Sequence, residues 1–386
     1  MSEGFYHDIT ERLSRLQADG MRRSLRAGDY GLPRMSRQGK EYLNLSANDY
    51  LSIANDPKLI GEFLCREGDT RFGSTGSRLM TGNTDAYTDF EKELERVYGR
   101  PALVFGSGYH ANTGILPALA GAGDLILADK LVHASIIDGI LSSKADFSRF
   151  RHNDYGHLEE LLVKSREHYK NIWIVSESIF SMDGDRSDVR QLANLKEKYG
   201  ALLYIDEAHS IGTDGPNGLG ICRAAGLLEQ TDVAVFPMGK GMASQGAFVL
   251  CRREVKEYLV NTSRPFIFST ALPPVCVRWS AFVFNRMRAM DTRRERLAKM
   301  SSQLRVELEK EEFKVLGDSH IIPVVFGENA VVLAAADSLR EQGIWATAIR
   351  HPTVPKGQAR IRLSLSAAFS PEDIGRIVGA FKKLKI

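Results

Sequence analysis

The chain has 386 residues, 43% of them hydrophobic and 26% charged, with a formal net charge of +3. That length supports one large domain with one or two smaller ones, and the composition is that of an ordinary soluble protein. So small a charge gives no ground for a nucleic-acid or anionic-membrane partner. The cysteines Cys65, Cys222, Cys251 and Cys276 lie far apart, without the paired spacing of a zinc site or a disulfide framework, and read as buried thiols. An N-terminus with acidic residues and no apolar segment is not a signal peptide, and no stretch approaches membrane-spanning length. These features point to a reducing cytoplasm.

From about Gly4 to Leu25 the chain reads as an amphipathic arm, with Phe5, Ile9, Leu13 and Leu16 at helical spacing. Residues 41–45 form a short strand candidate before the turn-rich Ser46-Ala47-Asn48-Asp49-Tyr50. Apolar runs at 102–105, 125–128, 172–175, 201–205, 233–236 and 247–250 are predicted strands, with polar amphipathic helices between them, such as 155–168 and 189–199. That alternation predicts an α/β fold with a mostly parallel sheet covered by helices on both faces. After Pro273-Pro274 a long helical stretch is expected to run to about Glu312. Strand candidates follow at 321–326, 345–349 and 359–365, then a closing helix from Glu372 to about Lys383. The predicted organisation is an N-terminal arm with a short strand (1–45), a large α/β domain (46–280) and a smaller α+β C-terminal domain (281–386).

Six stretches carry chemistry around Lys240, which sits in Pro237-Met238-Gly239-Lys240-Gly241-Met242 behind the run ending at Phe236. A lysine in an apolar pocket loses solvation of its charge, so its amine becomes available as a nucleophile. Asp206, in Asp206-Glu207-Ala208-His209, ends another apolar run and faces the crevice where open α/β sheets bind ligands. A Schiff-base lysine with a carboxylate for a pyridinium nitrogen is the pairing that pyridoxal phosphate (PLP) requires. Phe105-Gly106-Ser107-Gly108-Tyr109-His110 lies where a strand passes into a helix, and the N–H groups at such a helix start bind phosphate. It lacks the third glycine of a dinucleotide fingerprint. His133 could stack on a pyridine ring, and Ser181, beyond the run ending in Val175-Ser176-Glu177, could donate to the phenolic oxygen. Met182-Asp183-Gly184-Asp185 reads as a turn rather than a metal loop. In Ala359-Arg360-Ile361-Arg362-Leu363, alternation puts both arginines on one face, where a guanidinium suits a carboxylate. The small-residue stretch Arg71–Leu79, with Thr81-Gly82-Asn83, allows close approach of a ligand or a second subunit.

Together with Asn48-Asp49-Tyr50-Leu51, Ser269-Thr270 and the segment 346–355, these motifs resemble the α-oxoamine synthase family of PLP enzymes, from about Arg22 to the C-terminus. Within the family the likeness is greatest to members of biotin biosynthesis. The resemblance implies a fold-type I transferase with a seven-stranded sheet. In it Lys240 would bind PLP covalently, Asp206 would pair with the ring nitrogen, and His209 and Ser181 would contact the phenolic oxygen. His133 would stack on the ring, with Ser107, Gly108 and Tyr109 around the cofactor. Thr270 would reach the phosphate of a neighbouring subunit's cofactor, in a homodimer with shared sites. Arg362 would hold the amino-acid carboxylate, and Arg22, Asn48, Arg350 and Thr353 would line the acyl or carboxylate pocket. The implied reaction is decarboxylative condensation of L-alanine with a pimeloyl thioester of CoA or an acyl-carrier protein, with no metal.

Two positions depart from the family pattern. Pro237 stands where a threonine usually donates to the phosphate, and Phe369 where histidine is common. Pro237 predicts weaker cofactor retention, or compensation from Ser107, Ser244 or Thr270. Two rival readings stay open: glycine or another acyl-CoA as substrate, and a catalytically silent subunit.

Overall fold

A computed structural model describes residues 2–66 and 71–384. The chain divides into two compact units, one of Met1–Ala47, Met182–Gly184 and Leu297–Ile386, the other of Asn48–Ser181 and Asp185–Arg296.

The second unit is built on a seven-stranded sheet. Its strands are β3 (Ala102–Phe105), β4 (Leu125–Asp129), β5 (Asp146–Phe150), β6 (Ile172–Glu177), β7 (Leu202–Asp206), β8 (Val233–Pro237) and β9 (Ala247–Cys251). Their order is β3-β9-β8-β7-β6-β4-β5, parallel from β5 through to β8, with β9 antiparallel to both β8 and β3. Six of the strands coincide with the apolar runs of the sequence. The seventh, β5, has the polar composition Asp-Phe-Ser-Arg-Phe and sits at the sheet edge mostly exposed, so it carries no apolar run.

Alternation along these strands feeds two cores. Val104, Leu127, Ile174, Leu203, Ile205, Phe236 and Phe248 pack into the core on one face. Phe105, Ile126, Val175, Tyr204, Val235 and Val249 pack into the other, beneath the helices Gly108–Leu119 and Ala134–Ser142. Parity then dictates where the strand-end carboxylates point. Glu177 on β6 and Asp206 on β7 are register partners, and both share the parity of Val175 and Tyr204. They therefore lie on the face of those two helices.

The expected long helix after Pro273-Pro274 is two helices, Pro274–Met287 and Asp291–Lys310. The interruption has a local cause. The Arg294 guanidinium donates to the carbonyls of Met287 at 2.7 Å and Arg288 at 3.2 Å at the end of the first helix, where Met287 also accepts the Met290 N–H at 3.0 Å and Arg288 the Asn217 amide at 3.1 Å.

The first unit carries two three-stranded sheets. One comprises β1 (Arg34–Arg37), β2 (Lys40–Asn44) and β11 (Ile344–Trp345). The other comprises β10 (Ile321–Gly327), β13 (Ala359–Ser364) and β12 (Thr347–Ile349). The run 345–349, read as one strand from sequence, is thus divided between two sheets, with Ala346 at the crossing. The closing helix Pro371–Lys382 starts with a capping box between Ser370 and Asp373.

Phe248 is fully buried and stacks on Phe236 at 4.6 Å between centroids, with Tyr98 and Phe284 at its edges. Phe248→Ala should cost about 3–5 kcal/mol through the cavity it leaves, read as a lower denaturation midpoint.

Candidate active site

Asp206 is 4% exposed at the end of β7. Its carboxylate accepts from the Ala208 N–H at 2.9 Å and from Asn112 Nδ2 at 2.8 Å. Asn112 in turn is fully used. Its second N–H goes to Ser135 Oγ at 2.9 Å, and its carbonyl accepts from Tyr204 Oη at 2.5 Å. Ser135 Oγ lies 2.8 Å from His133 Nδ1, which also accepts the Ser135 N–H at 3.2 Å. The chain of bonds is consistent only if His133 Nδ1 is unprotonated, so Nε2 carries the hydrogen. Burial lowers the His133 pKa below its ordinary value; the Lys240 charge acts the same way, and Asp206 opposes them. His133 is therefore a neutral ring whose Nε2–H is a donor.

Glu177 adds a second carboxyl beside Asp206. It is 2% exposed, and Oε1 accepts the His133 backbone N–H at 2.5 Å. Burial, reinforced by Asp206, pushes its pKa well above the usual carboxylate range, while Lys240 and the N–H bond pull the other way. Two carboxyls in one dry site do not both ionise, and Glu177 holds the proton.

Lys240 lies in the loop between β8 and β9. Its Nζ is 3.0 Å from His209 Nε2, and His209 Nδ1 is 2.5 Å from Tyr50 Oη, itself 3.3 Å from Asn48 Oδ1. These contacts are consistent with Nζ donating to Nε2, Nδ1–H donating to Tyr50, and Tyr50 donating to Asn48. The approach of the two loops is set by glycines. A Cβ on Gly241 would fall 2.3 Å from the Ile211 carbonyl oxygen, and one on Gly212 would fall 3.0 Å from that of Gly241. Only backbones without side chains bring Lys240 to His209.

The phosphate-type loop is formed as its motif suggested. Ser107 is the N-cap of the helix Gly108–Leu119, accepting from the His110 N–H at 3.0 Å, which leaves its hydroxyl hydrogen as a donor. The N–H groups of Gly108 and Tyr109 head that helix without acceptors inside it. Pro237 packs directly on this turn: a Cβ on Gly108 would meet Pro237 Cγ at 2.7 Å. The residue without a hydroxyl or an N–H therefore stands beside the helix start. Of the suggested replacements, Ser244 shares a 2.7 Å bond with Ser280 and Thr270 is exposed. Tyr109 donates its hydroxyl to Asp138. Ser181 follows β6 in the turn closed by Phe180 N–H to the Asp185 carbonyl. Lys240, the strand-end carboxylate, the flat neutral imidazole and a helix N-terminus lined by glycine make a donor set that fits PLP.

The remaining predicted residues lie in the first unit. Arg22, Arg350 and Thr353 share one pocket of about 830 Å³ whose lining includes five arginines and no carboxylate. Thr353 Oγ1 accepts from Arg23 at 3.0 Å and Arg350 donates to the Gly20 carbonyl. Burial, then the like charges of Arg23 and Arg26, lower the Arg350 pKa below its ordinary value. On β13 both arginines are buried. Arg360 is committed to Asp183 at 2.7 Å and the Met182 carbonyl at 3.2 Å, which makes it a structural cation; Ser181–Asp183 form a turn. Phe369 is fully buried. Among the described residues there is no cluster able to hold a metal ion and no helix long and apolar enough to cross a membrane.

Sequence reading missed Asn112, Ser135, Tyr50, Tyr204 and Glu177 as site residues. Tyr50 and Glu177 stand inside stretches already singled out and Tyr204 inside a predicted strand, while Asn112 and Ser135 lie just beyond the Phe105–His110 stretch and His133.

The fold and this constellation define a fold-type I PLP-dependent enzyme. The Aminotransferase class I and II family matches residues 40–381, and the chain belongs to it. It is 45% identical over 385 residues to the 8-amino-7-oxononanoate synthase of Chlorobaculum parvum, covering 98% of each chain. Among solved structures it is similar to the serine palmitoyltransferase of Sphingomonas wittichii, with a TM-score of 0.90 and 30% identity over 98% of this chain and 96% of that one. It is also similar to the 8-amino-7-oxononanoate synthase of Francisella tularensis, with a TM-score of 0.73 and 27% identity over 89% and 97%. The expected PLP cofactor and acyltransferase class both hold.

Two variants test the site by titration with PLP. Asn112→Ala, which strips Asp206 of a charge-assisted bond, should weaken PLP binding by about tenfold or more. Pro237→Thr, which restores a hydroxyl and an N–H beside the helix start, should tighten it by about fivefold.

Proposed function

We propose that this protein condenses L-alanine with a pimeloyl thioester, releasing CO₂ and the thiol and giving 8-amino-7-oxononanoate for biotin biosynthesis. PLP, when bound, supplies a carbonyl for the lysine and an electron-withdrawing ring that makes an amino-acid Cα proton removable. Lys240 Nζ is the base for that proton, and His209 Nε2 is within reach of it. Asp206 would pair with the ring nitrogen, and Asn112 keeps its carboxylate aimed. His133 presents a neutral face and an Nε2–H donor. Thiol departure and loss of the former alanine carboxylate as CO₂ complete the net reaction.

The observation that carries the choice of substrate is the arginine pocket of the first unit. Its size suits an acyl chain, and guanidiniums without lining carboxylates suit an acid at the end of that chain. Arg22, Arg350 and Thr353 are assigned to it, and Arg362 to the alanine carboxylate. Glycine with a short neutral acyl-CoA, the second reading, would leave those charges unused. The thiol carrier is CoA or an acyl-carrier protein, which share the same arm.

A homodimer is part of this reading. Phe72, Met80 and Phe268 are 79%, 79% and 71% exposed on segments joined by the Ser77–Thr270 bridge, an apolar surface suited to a second copy. Cytoplasmic location is supported by four unbridged cysteines.

Thiol release measured with alanine or glycine against a panel of acyl thioesters should be fastest with alanine and a pimeloyl thioester; no turnover of that pair would sink the assignment. Lys240→Ala should abolish both turnover and the PLP band near roughly 420 nm, which a silent binding subunit would not need for its role. Arg350→Ala should raise KM for the pimeloyl thioester by about tenfold while leaving that for acetyl-CoA unchanged.

A further inference from the structure

His152 lies outside every motif above, yet it touches both loops that flank the ring-binding side of the site. It follows β5, the polar edge strand. Its Nδ1 is 2.9 Å from Asp129 Oδ1, at the end of β4, and its Nε2 is 2.8 Å from Asp185 Oδ2, beyond β6. The ring also meets Phe180 edge-on at 4.5 Å. Asn153 doubles the link, with its N–H on Asp129 Oδ2 at 2.9 Å and its amide on Asp185 Oδ2 at 2.9 Å and the Arg186 carbonyl at 3.1 Å.

Each aspartate in turn fixes a loop. Asp129 Oδ1 accepts the Leu131 N–H at 2.8 Å and so shapes the short segment that leads to His133. The Asp185 carbonyl accepts the Phe180 N–H at 3.0 Å and closes the turn that holds Ser181.

We propose that His152 is a positioning residue for cofactor binding: held between Asp129 and Asp185, its ring ties the segment bearing His133 to the turn bearing Ser181 and keeps both in register with PLP. The proposal rests on the reading that His133 and Ser181 contact PLP.

Both ring nitrogens face carboxylate oxygens, so both carry hydrogen and the ring is an imidazolium. Burial works against the charge, but the bonds to Asp129 and Asp185 prevail and raise its pKa from 6.5 to about 10. The other groups around it do not compete. Tyr155 donates to Asn153 Oδ1 at 3.2 Å and has its own pKa raised to about 12, mainly by burial. Arg186 is paired with Asp214 at 2.9 Å, and Arg151 with Asp154 at 2.7 Å. Because the folded pKa is raised, the clamp's contribution is complete below about pH 6.5 and is lost as pH rises through about 10.

Full-length protein carrying His152→Asn, Asp185→Asn or both is titrated with PLP, following absorbance and the circular dichroism induced in the cofactor. Each single variant should bind PLP about tenfold more weakly, the scale of one lost charge-assisted bond, with diminished induced dichroism. The double variant should be no worse than the weaker single one, since both changes cut the same link. Wild-type affinity and dichroism in His152→Asn overturn the proposal, as do additive losses. Failure of wild-type protein to bind PLP overturns the underlying reading instead, and the two failures are told apart by the wild-type titration. A measurement without variants stands beside these: nitrogen-resolved spectra of the wild-type imidazoles should show His152 doubly protonated at pH about 8, and a His152 that titrates near its ordinary value overturns the proposal.

Discussion

A carboxylate taken out of water must be hydrogen-bonded, paired or neutralised, and the active end of the large sheet is organised by that requirement. Three strand-end carboxyls meet it in different ways. Asp206 is held by an amide and a backbone N–H. Glu207, one residue on and pointing to the other face, accepts the N–H groups of Ile221 and Cys222 at 3.0 and 2.7 Å, and secures the loop after β7. Glu177 is neutralised instead, and as a neutral acid it anchors the backbone of His133.

Asn112 is the joint of this arrangement. One amide reaches Asp206, Ser135 and Tyr204, so the helix Gly108–Leu119 that begins at the phosphate-type loop also orients the carboxylate and, through Ser135, the ring of His133. Three parts of the candidate site, the phosphate-type turn, the Asp206 carboxylate and the His133 ring, are thereby referred to one rigid element. The Lys240 loop is located by a different means, the close packing of Gly241 on Ile211. Polar satisfaction positions the cofactor's partners, and steric economy positions its lysine.

Charge is used in opposite senses in the two units. Around Asp206, the Asn112 amide, the Ala208 N–H and the Ser135 and Tyr204 hydroxyls are all engaged with one another or with the carboxylate. In the first unit, the pocket of Arg22, Arg350 and Thr353 concentrates guanidiniums, and the Arg350 pKa is lowered by burial first and then by Arg23 and Arg26. A matched network suits a resident cofactor that must not move; an excess of one sign suits a ligand that brings the other. Pro237 is the exception in the matched region, an apolar ring against Gly108 at a helix start that otherwise presents donors.

Much of the fold was legible because buried parallel strands are continuous apolar runs, and six of seven strands in the large sheet announced themselves that way. β5 did not, since an edge strand can be polar, and the division of 345–349 between two sheets has no local marker. Lys240, Asp206, His209 and the Ser107-Gly108-Tyr109 turn stood out as candidates because chemistry restricts which residue types can stand there. What the chain by itself determined was therefore the class of fold and the class of reaction. Only the tertiary structure decided that Asn112 orients Asp206, that Glu177 carries a proton, that Arg360 is structural and that His152 bridges two loops. Those roles depend on which side chains meet across strands far apart in sequence, and distance and burial, not residue type, settle them.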